Sequence, residues 1–326
     1  MGASIVTRPQ NKGVQTMAKD FYHTGLQVGR SDIASLLSAK APGDVYYVDS
    51  VNGAINNSGK TKATAVITID AAINLCTANK GDIIYVMPNH TEAIITAGAI
   101  DADVAGISII GLGSGDNMPR VDYTAAAGSF VIGANNVTVE NINFHANVTS
   151  VVVGVDIDAG VDFATIRGCR FDVETTATDE FLITIQTNDD SNFATVENCD
   201  IDNGLGGSVH AIKFTADTDG TKVIGNTIQG DYSTANIGGI TTLSTKLVIA
   251  NNLLINGGTG ALGTEPVIEL LTGSTGVIQN NNVVCNLATK AASIVADTCM
   301  LFENYYNEDV SSAGTGGIIG TASADD

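Results

Sequence analysis

The chain is 326 residues long, carries 35 acidic against 15 basic groups for a formal net charge of −20, and contains 36 glycines, 5 prolines and no tryptophan. That length supports one large core or two ordinary ones. So acidic a chain excludes nucleic acid and anionic membranes as partners, because phosphate binding needs basic groups, and no apolar run reaches the roughly 18 residues of a membrane span.

Residues 1–44 hold five of the fifteen basic residues (Arg8, Lys12, Lys19, Arg30, Lys40), no repeat, and one helix candidate, "SDIASLLSAK", with Ser31 placed to cap it. The segment reads as a solvent-bound tail or as an arm draped over a neighbouring subunit or larger assembly. Its charge contrast with the acidic body favours the arm. The opening "MGASIVTRPQNKG" lacks the apolar core of a secretory signal. "DVYYVDS" then predicts a strand, and "VNGAINNSGKTKA" a turn-rich loop. In "TIDAAINLCTANKG" the spacing predicts a helix near 68–80: Thr68 as N-cap, Ile69, Ala72, Ile73 and Cys76 on one face, Gly81 past the end. "DIIYVMP" and "ISIIGLGSG" read as short apolar strands. The glycines of "GLGSGDN" lack the spacing and the Lys-Ser/Thr partner of a phosphate loop.

From Gly111 a repeat takes over. Segments such as "VTVENINF", "ATIRGCRF", "ATVENCDI", "KVIGNTI", "LVIANNLL" and "GVIQNNNVV" place turn anchors at Gly111, Asn141, Gly168, Asn198, Asn226, Asn251, Asn280 and Asn304, at intervals of 24 to 30 residues. Strands of a few residues separated by Gly, Asn, Asp and Thr leave no room for crossover helices. A unit this short cannot bury an apolar face alone, so it must stack on its neighbours as a solenoid with strands about 4.8 Å apart. The intervals from 111 to 304 then span roughly 34 Å, and stacked Asn amides can hydrogen-bond along the axis.

The ladder assigns faces. Val139, Ile166 and Val196 point inward, as do Ile142, Cys169 and Cys199, and Phe144, Phe171 and Ile201; Phe163 and Phe193 fall in the same register. The five cysteines (Cys76, Cys169, Cys199, Cys285, Cys299) are scattered without a CxxC and read as packed thiols rather than a zinc site or disulfide framework.

The stretches "DVYYVDSVNG", "ITIDAAINLCTANKGDIIYVMPNHTEAI" and "ISIIGLG", followed by "VENCDI"-like coils, resemble the single-stranded right-handed parallel β-helix proteins of the pectate lyase type over roughly residues 45–310. The helix near 68–80 is similar to the cap those proteins place over the first coil. The resemblance implies an all-β solenoid with an N-terminal capping helix. It does not select an activity, because lyases, pectin hydrolases, epimerases, phage tailspikes and virion proteins share the fold.

Outward positions beside the opening coils supply the best chemical cluster: Asn143, Arg170 and Asp200 in one column, His145, Asp172 and Asp202 in the next. Asp172 and Asp202 on adjacent coils fit paired carboxylates or a Ca²⁺ site, with Arg170 beside them. The bland alternative is a solvated polar face, on which removal of Asp172 would cost within about 1 kcal/mol. The turns "DID", "NDDSN" and "DTDGT" add Asp156, Asp158, Asp189, Asp190, Asp217 and Asp219, read as turn chemistry or as low-affinity Ca²⁺ bridging. The resemblance implies aspartates for calcium with a basic residue that abstracts a proton. Here Arg167, Arg170, Lys213, Lys222, Lys246 and Lys290 are the basic groups after residue 120. The hydrolase "GHG" element is absent, and His210 in "GGSVHAIKF" does not replace it. Lack of tryptophan disfavours sugar-stacking subsites.

These features lead to an expectation of a non-enzymatic phage virion protein, a capsid decoration or tail-associated subunit made in the host cytoplasm and anchored by residues 1–44. Residues 311–326 form a Gly/Ser/Ala-rich tail. Expected partners are further copies of the chain, a trimer among the arrangements, and other virion proteins; no cofactor is required beyond a possible Ca²⁺. A polysaccharide lyase or glycoside hydrolase, or a glycan-binding tailspike module, stands as the alternative.

Overall fold

A computed structural model describes residues 43–174, 178–204, 207–239, 241, 243–258, 261–287, 290–296, 298–307 and 317–319. The expected arm therefore lies outside the described residues except for Gly43 and Asp44, which belong to the body. Asp44 is tied in: its carbonyl accepts the Ile83 N–H at 2.9 Å, and its carboxylate pairs with Lys80 at 2.6 Å and Lys60 at 3.1 Å.

The body is a right-handed parallel β-helix of about 8 turns. Each turn visits three parallel sheets in the same order. The first sheet has ten strands, from Val45–Val48 to Met300–Phe302. The second runs from Thr91–Ile94 to Asn304–Asn307, and the third has eight strands, from Ile100–Asp101 to Ile294–Val295. Val45–Val48 and Ile83–Val86 are already rungs of the first sheet, so the stack begins before Gly111 and is longer than the anchor series suggested. At the far end Gly317–Ile319 pairs antiparallel with Asn304–Asn307 and buries Ile319. That strand falls within the stretch read as a tail.

The capping helix is shorter than its spacing predicts, covering Ile69–Ile73. Thr68 caps it as expected, its hydroxyl accepting the Ala71 N–H at 3.1 Å, and Ile69, Ala72 and Ile73 are buried. Side-chain bonds hold the residues after Ile73 out of the helix. The Asn74 side chain donates back to the Asp70 carbonyl at 2.9 Å, Tyr46 Oη donates to the Leu75 carbonyl at 2.6 Å, and the Thr77 N–H is held by Asp82 Oδ2 at 2.7 Å.

The core columns follow from strand alternation. Val139, Ile166 and Val196 are fully buried and in register, and Phe144 stacks on Phe171 with ring centroids 4.9 Å apart. From Asn141 on, the corner between the first and second sheets is a left-handed residue: Asn141, Gly168, Asn198, Gly225, Asn251, Asn280 and Glu303, with φ between 48° and 69°. Gly111 is in line with Asn141 but is not left-handed; a side chain there would collide with the Asn141 carbonyl. Asn226 and Asn304 lie one residue beyond the corner and point inward. Asparagine tolerates both roles, so an aligned Gly-Asn or Glu-Asn pair offers two anchors for one turn.

Phe163 and Phe193 correct the inward assignment. They are 50% and 41% exposed and occupy left-handed positions, φ 60° and 56°, at the corner between the third and first sheets. Their rings stack on each other at 5.0 Å, and Phe193 lies over the bare Cα of Gly220.

Candidate functional site

The outer face of the second sheet gathers the charged side chains. Register places Arg120, Asn143, Arg170 and Asp200 in one column, and Asp122, His145 and Asp172 two residues further along the same strands. His145 is only 6% exposed, and both ring nitrogens are engaged: Nδ1 with Asp172 Oδ1 at 2.6 Å and Nε2 with Glu174 Oε2 at 3.1 Å. The Asp172 bond, its charge and Glu174 raise the His145 pKa above the usual histidine value, against the opposing effect of burial. Asp172 spends its other oxygen on Arg170 Nε at 3.0 Å. Arg120 Nη2 donates to Asp122 Oδ2 at 3.1 Å, while its Nε sits 2.8 Å from Oδ1, within ion-pair reach but off the line of a hydrogen bond.

This is a closed network of charges. An imidazole with both nitrogens bound to carboxylates holds its proton rather than taking one from a substrate. Asp202 does not share it: its Oδ1 accepts the Gly204 N–H at 3.4 Å, and its strand continues onto Gln229 of the next turn. Arg120, Asp122 and Glu174 escaped the sequence reading, although "RVDY" has the same outward spacing as "NFHA". Eight residues separate Gly111 from Arg120, where a single residue separates Asn141 from Asn143, and that insertion takes the rung out of the repeat's spacing.

The turn aspartates divide. Asp156, on the outer face of the third sheet, accepts from Asn188 Nδ2 at 2.7 Å and Gln186 Nε2 at 3.1 Å, and burial raises its pKa. Asp158 lies at the end of that strand, and Asp101 nearby is raised by burial and then by the charges of Asp103, Asp158 and Asp70. Asp189 contributes its carbonyl to the Gly160 N–H at 2.8 Å. Asp190 is left-handed at φ 56° and accepts from Asn192 Nδ2 at 2.9 Å. Asp217 accepts the Asp190 N–H through its carbonyl at 3.0 Å. Asp219 is paired with Lys246 at 2.6 Å and Thr245 at 2.7 Å. Among the described residues no three His, Cys, Asp or Glu side chains converge in a way that could hold a metal ion.

One further line repeats along that corner. The side-chain oxygens of Asn135, Asp162 and Asn192 each accept the backbone N–H one turn on, from Asp162, Asn192 and Asp219, at 2.8 to 3.3 Å. Turn chemistry thus consumes much of the acidic and amide inventory. Cys169 and Cys199 are buried free thiols, and contact between them together with burial pushes the Cys199 pKa up.

The fold defined by these three sheets is that of pectate lyase-like parallel β-helices. The structure is similar to that of pectate lyase Pel9A at 14% identity and a TM-score of 0.54, covering 85% of this chain and 73% of that one. It also matches a rhamnogalacturonan lyase at 13% identity and a TM-score of 0.39, covering 80% of this chain and 87% of the other. No protein-family model and no curated protein matches the sequence.

Proposed function

We propose that the chain is a non-catalytic structural subunit of a phage particle, a capsid decoration or tail-associated protein located in the virion and attached through the segment before Gly43. The observation that carries this reading is the neutralised network on the second sheet: Asp172 divides its oxygens between His145 and Arg170, so the best candidate for chemistry is spent on holding two turns together. The segment before Gly43 carries five basic residues and two acidic ones, against a body that supplies nearly all the negative charge.

Particle incorporation tests it. A chain starting at Gly43 should fold and fail to incorporate, while the Asp172→Asn, Asp202→Asn double variant should incorporate normally. The competing reading, a polysaccharide lyase, draws on the similarity to Pel9A and on Lys213, two turns along the third sheet from Asp156. Release of unsaturated ends from pectate with added Ca²⁺, abolished by Lys213→Ala, would replace the structural reading with that one.

A further inference from the structure

We propose that the outer face of the first sheet is a self-association surface, on which a second copy packs with its solenoid running in the opposite direction. The face consists of two outward columns over ten rungs. One starts at Val45 and Ile83, passes three threonines at 138, 165 and 195, and ends at Val248, Val277 and Met300. The other starts at Tyr47 and Tyr85, passes Glu140, Arg167 and Glu197, and ends at Ile224, Ala250, Gln279 and Phe302.

Charge selects the occupant. Copies of a chain with net charge −20 repel one another. On this face Glu140 and Glu197 are matched by Arg167 and Lys222, so it is neutral. The second sheet instead presents Asp122, Asp172, Asp200 and Asp202 against two arginines, and the third presents Asp101, Asp156 and Glu269 against Lys213. The first sheet is therefore where two copies approach at least electrostatic cost, and its apolar ends supply the attraction. Nineteen of its twenty outward positions reach solvent, Ala250 being buried, which comes close to the roughly 20–30 residues a side of a standard protein interface.

The pattern also selects the direction. A two-fold axis parallel to the strands, passing between the rungs of Arg167 and Glu197, opposes each column to itself in reverse order. Val45 then meets Met300, Ile83 meets Val277, and Tyr47 meets Phe302. Arg167 of each copy meets Glu197 of the other, which makes no ion pair among the described residues, whereas Arg167 already holds Glu140 at 2.7 Å. An axis along the solenoid would swap the columns and set Glu140, Arg167 and Glu197 against threonines, leaving Glu197 unpaired. Isologous contact through the reversed arrangement closes on itself and stops at two copies.

Sedimentation velocity of the full chain over micromolar concentrations tests the surface. The wild type should form a dimer, and Val277→Asp should weaken association by roughly tenfold or more, with unchanged far-UV circular dichroism and unfolding midpoint. Thr227→Asp, outward on the second sheet, should associate like the wild type. Direction is read from Ile83→Cys and Val277→Cys variants, which should form a disulfide-linked dimer on oxidation only when mixed. A monomeric wild type, or wild-type association of Val277→Asp, overturns the surface. Cross-linking of Ile83→Cys by itself, with the wild-type chain as background, overturns the antiparallel arrangement, and this readout stands even if the aspartate variant fails to fold.

Discussion

Asn252 and Asn281 occupy the same inward position on successive turns, and Asn281 Oδ1 accepts both the Asn252 N–H at 3.0 Å and the Asn252 Nδ2 at 2.9 Å. The same pair of bonds links Asn226 to Asn252, and Asn281 to Asn304. Each amide also donates to a carbonyl one turn back, as Asn252 does to Val223 at 2.9 Å. At the head of this column Asn226 Oδ1 takes the Cys199 N–H at 2.9 Å. Four buried amides therefore satisfy backbone groups that the tight corner leaves out of the sheets.

Asn252→Ala should destabilise the protein by roughly 2–4 kcal/mol, since it strands the buried Asn226 N–H and Val223 carbonyl and opens a void. The neighbouring Asn251→Gly should stay within about 1 kcal/mol, because that corner needs only a left-handed residue. Urea unfolding of both variants decides the matter. Equal losses would mean that the corner and the inward ladder have been exchanged.

That one-residue distinction marks how far the sequence is legible. The turn recurs visibly because Gly or Asn stands at every left-handed corner of this line but Glu303, and the alternation of apolar residues around it assigns Val139, Ile166, Val196 and Phe171 to the interior. The identity of the corner residue is hidden in "GN", "NN" and "EN", because the ladder asparagine is itself a residue type that tolerates a left-handed corner. Phe163 and Phe193 are illegible for a different reason: a left-handed phenylalanine costs about 1–2 kcal/mol, so local propensity assigns it elsewhere. The charged network was half legible. His145, Asp172 and Arg170 were placed together by register, but the Glu174 contact that closes the network depends on a side chain beyond the shared strand pattern.

Phe171→Ala should cost about 3–5 kcal/mol, from lost transfer energy and the cavity left between Phe144 and Phe181. Asp172→Ala should cost about 1–3 kcal/mol, more than its outward position alone suggests, because it leaves the buried His145 Nδ1 unpaired. Denaturant midpoints at fixed pH measure both. A loss below 0.5 kcal/mol for Asp172→Ala would show that His145 finds another partner.

Gly220 and Phe193 should be strongly coupled. Gly220 is left-handed at φ 70°, and a Cβ there would lie 2.5 Å from Phe193 Cδ1. Gly220→Ala pays the left-handed cost and displaces the ring, roughly 2–4 kcal/mol together. In a Phe193→Asn background the ring is gone and only the backbone part, about 1–2 kcal/mol, remains. A double-mutant cycle should therefore show coupling of at least about 1 kcal/mol. Additive losses would mean that the exposed rings do not rest on the glycine.

Two histidines should give stability a maximum in pH. Burial lowers the His210 pKa to about 4, with its Nδ1 held by the Ala235 carbonyl at 2.9 Å, whereas the Asp172 bond raises that of His145. Between about 4 and the unfolded histidine value near 6.5, the unfolded chain protonates His210 and the folded chain does not, so stability rises with pH. For His145 the sign reverses: its contribution is complete below about 6.5 and is lost as pH rises through the higher folded value. Carboxylates contribute at the acid end, so the rising limb is best read from about pH 5 to 6.5. Guanidinium unfolding across the range should show His210→Asn flattening the rising limb and His145→Gln flattening the falling one. A falling limb that survives in His145→Gln would assign the proton to another group, and an imidazole resonance of His145 titrating below 6.5 would contradict the carboxylate clamp itself.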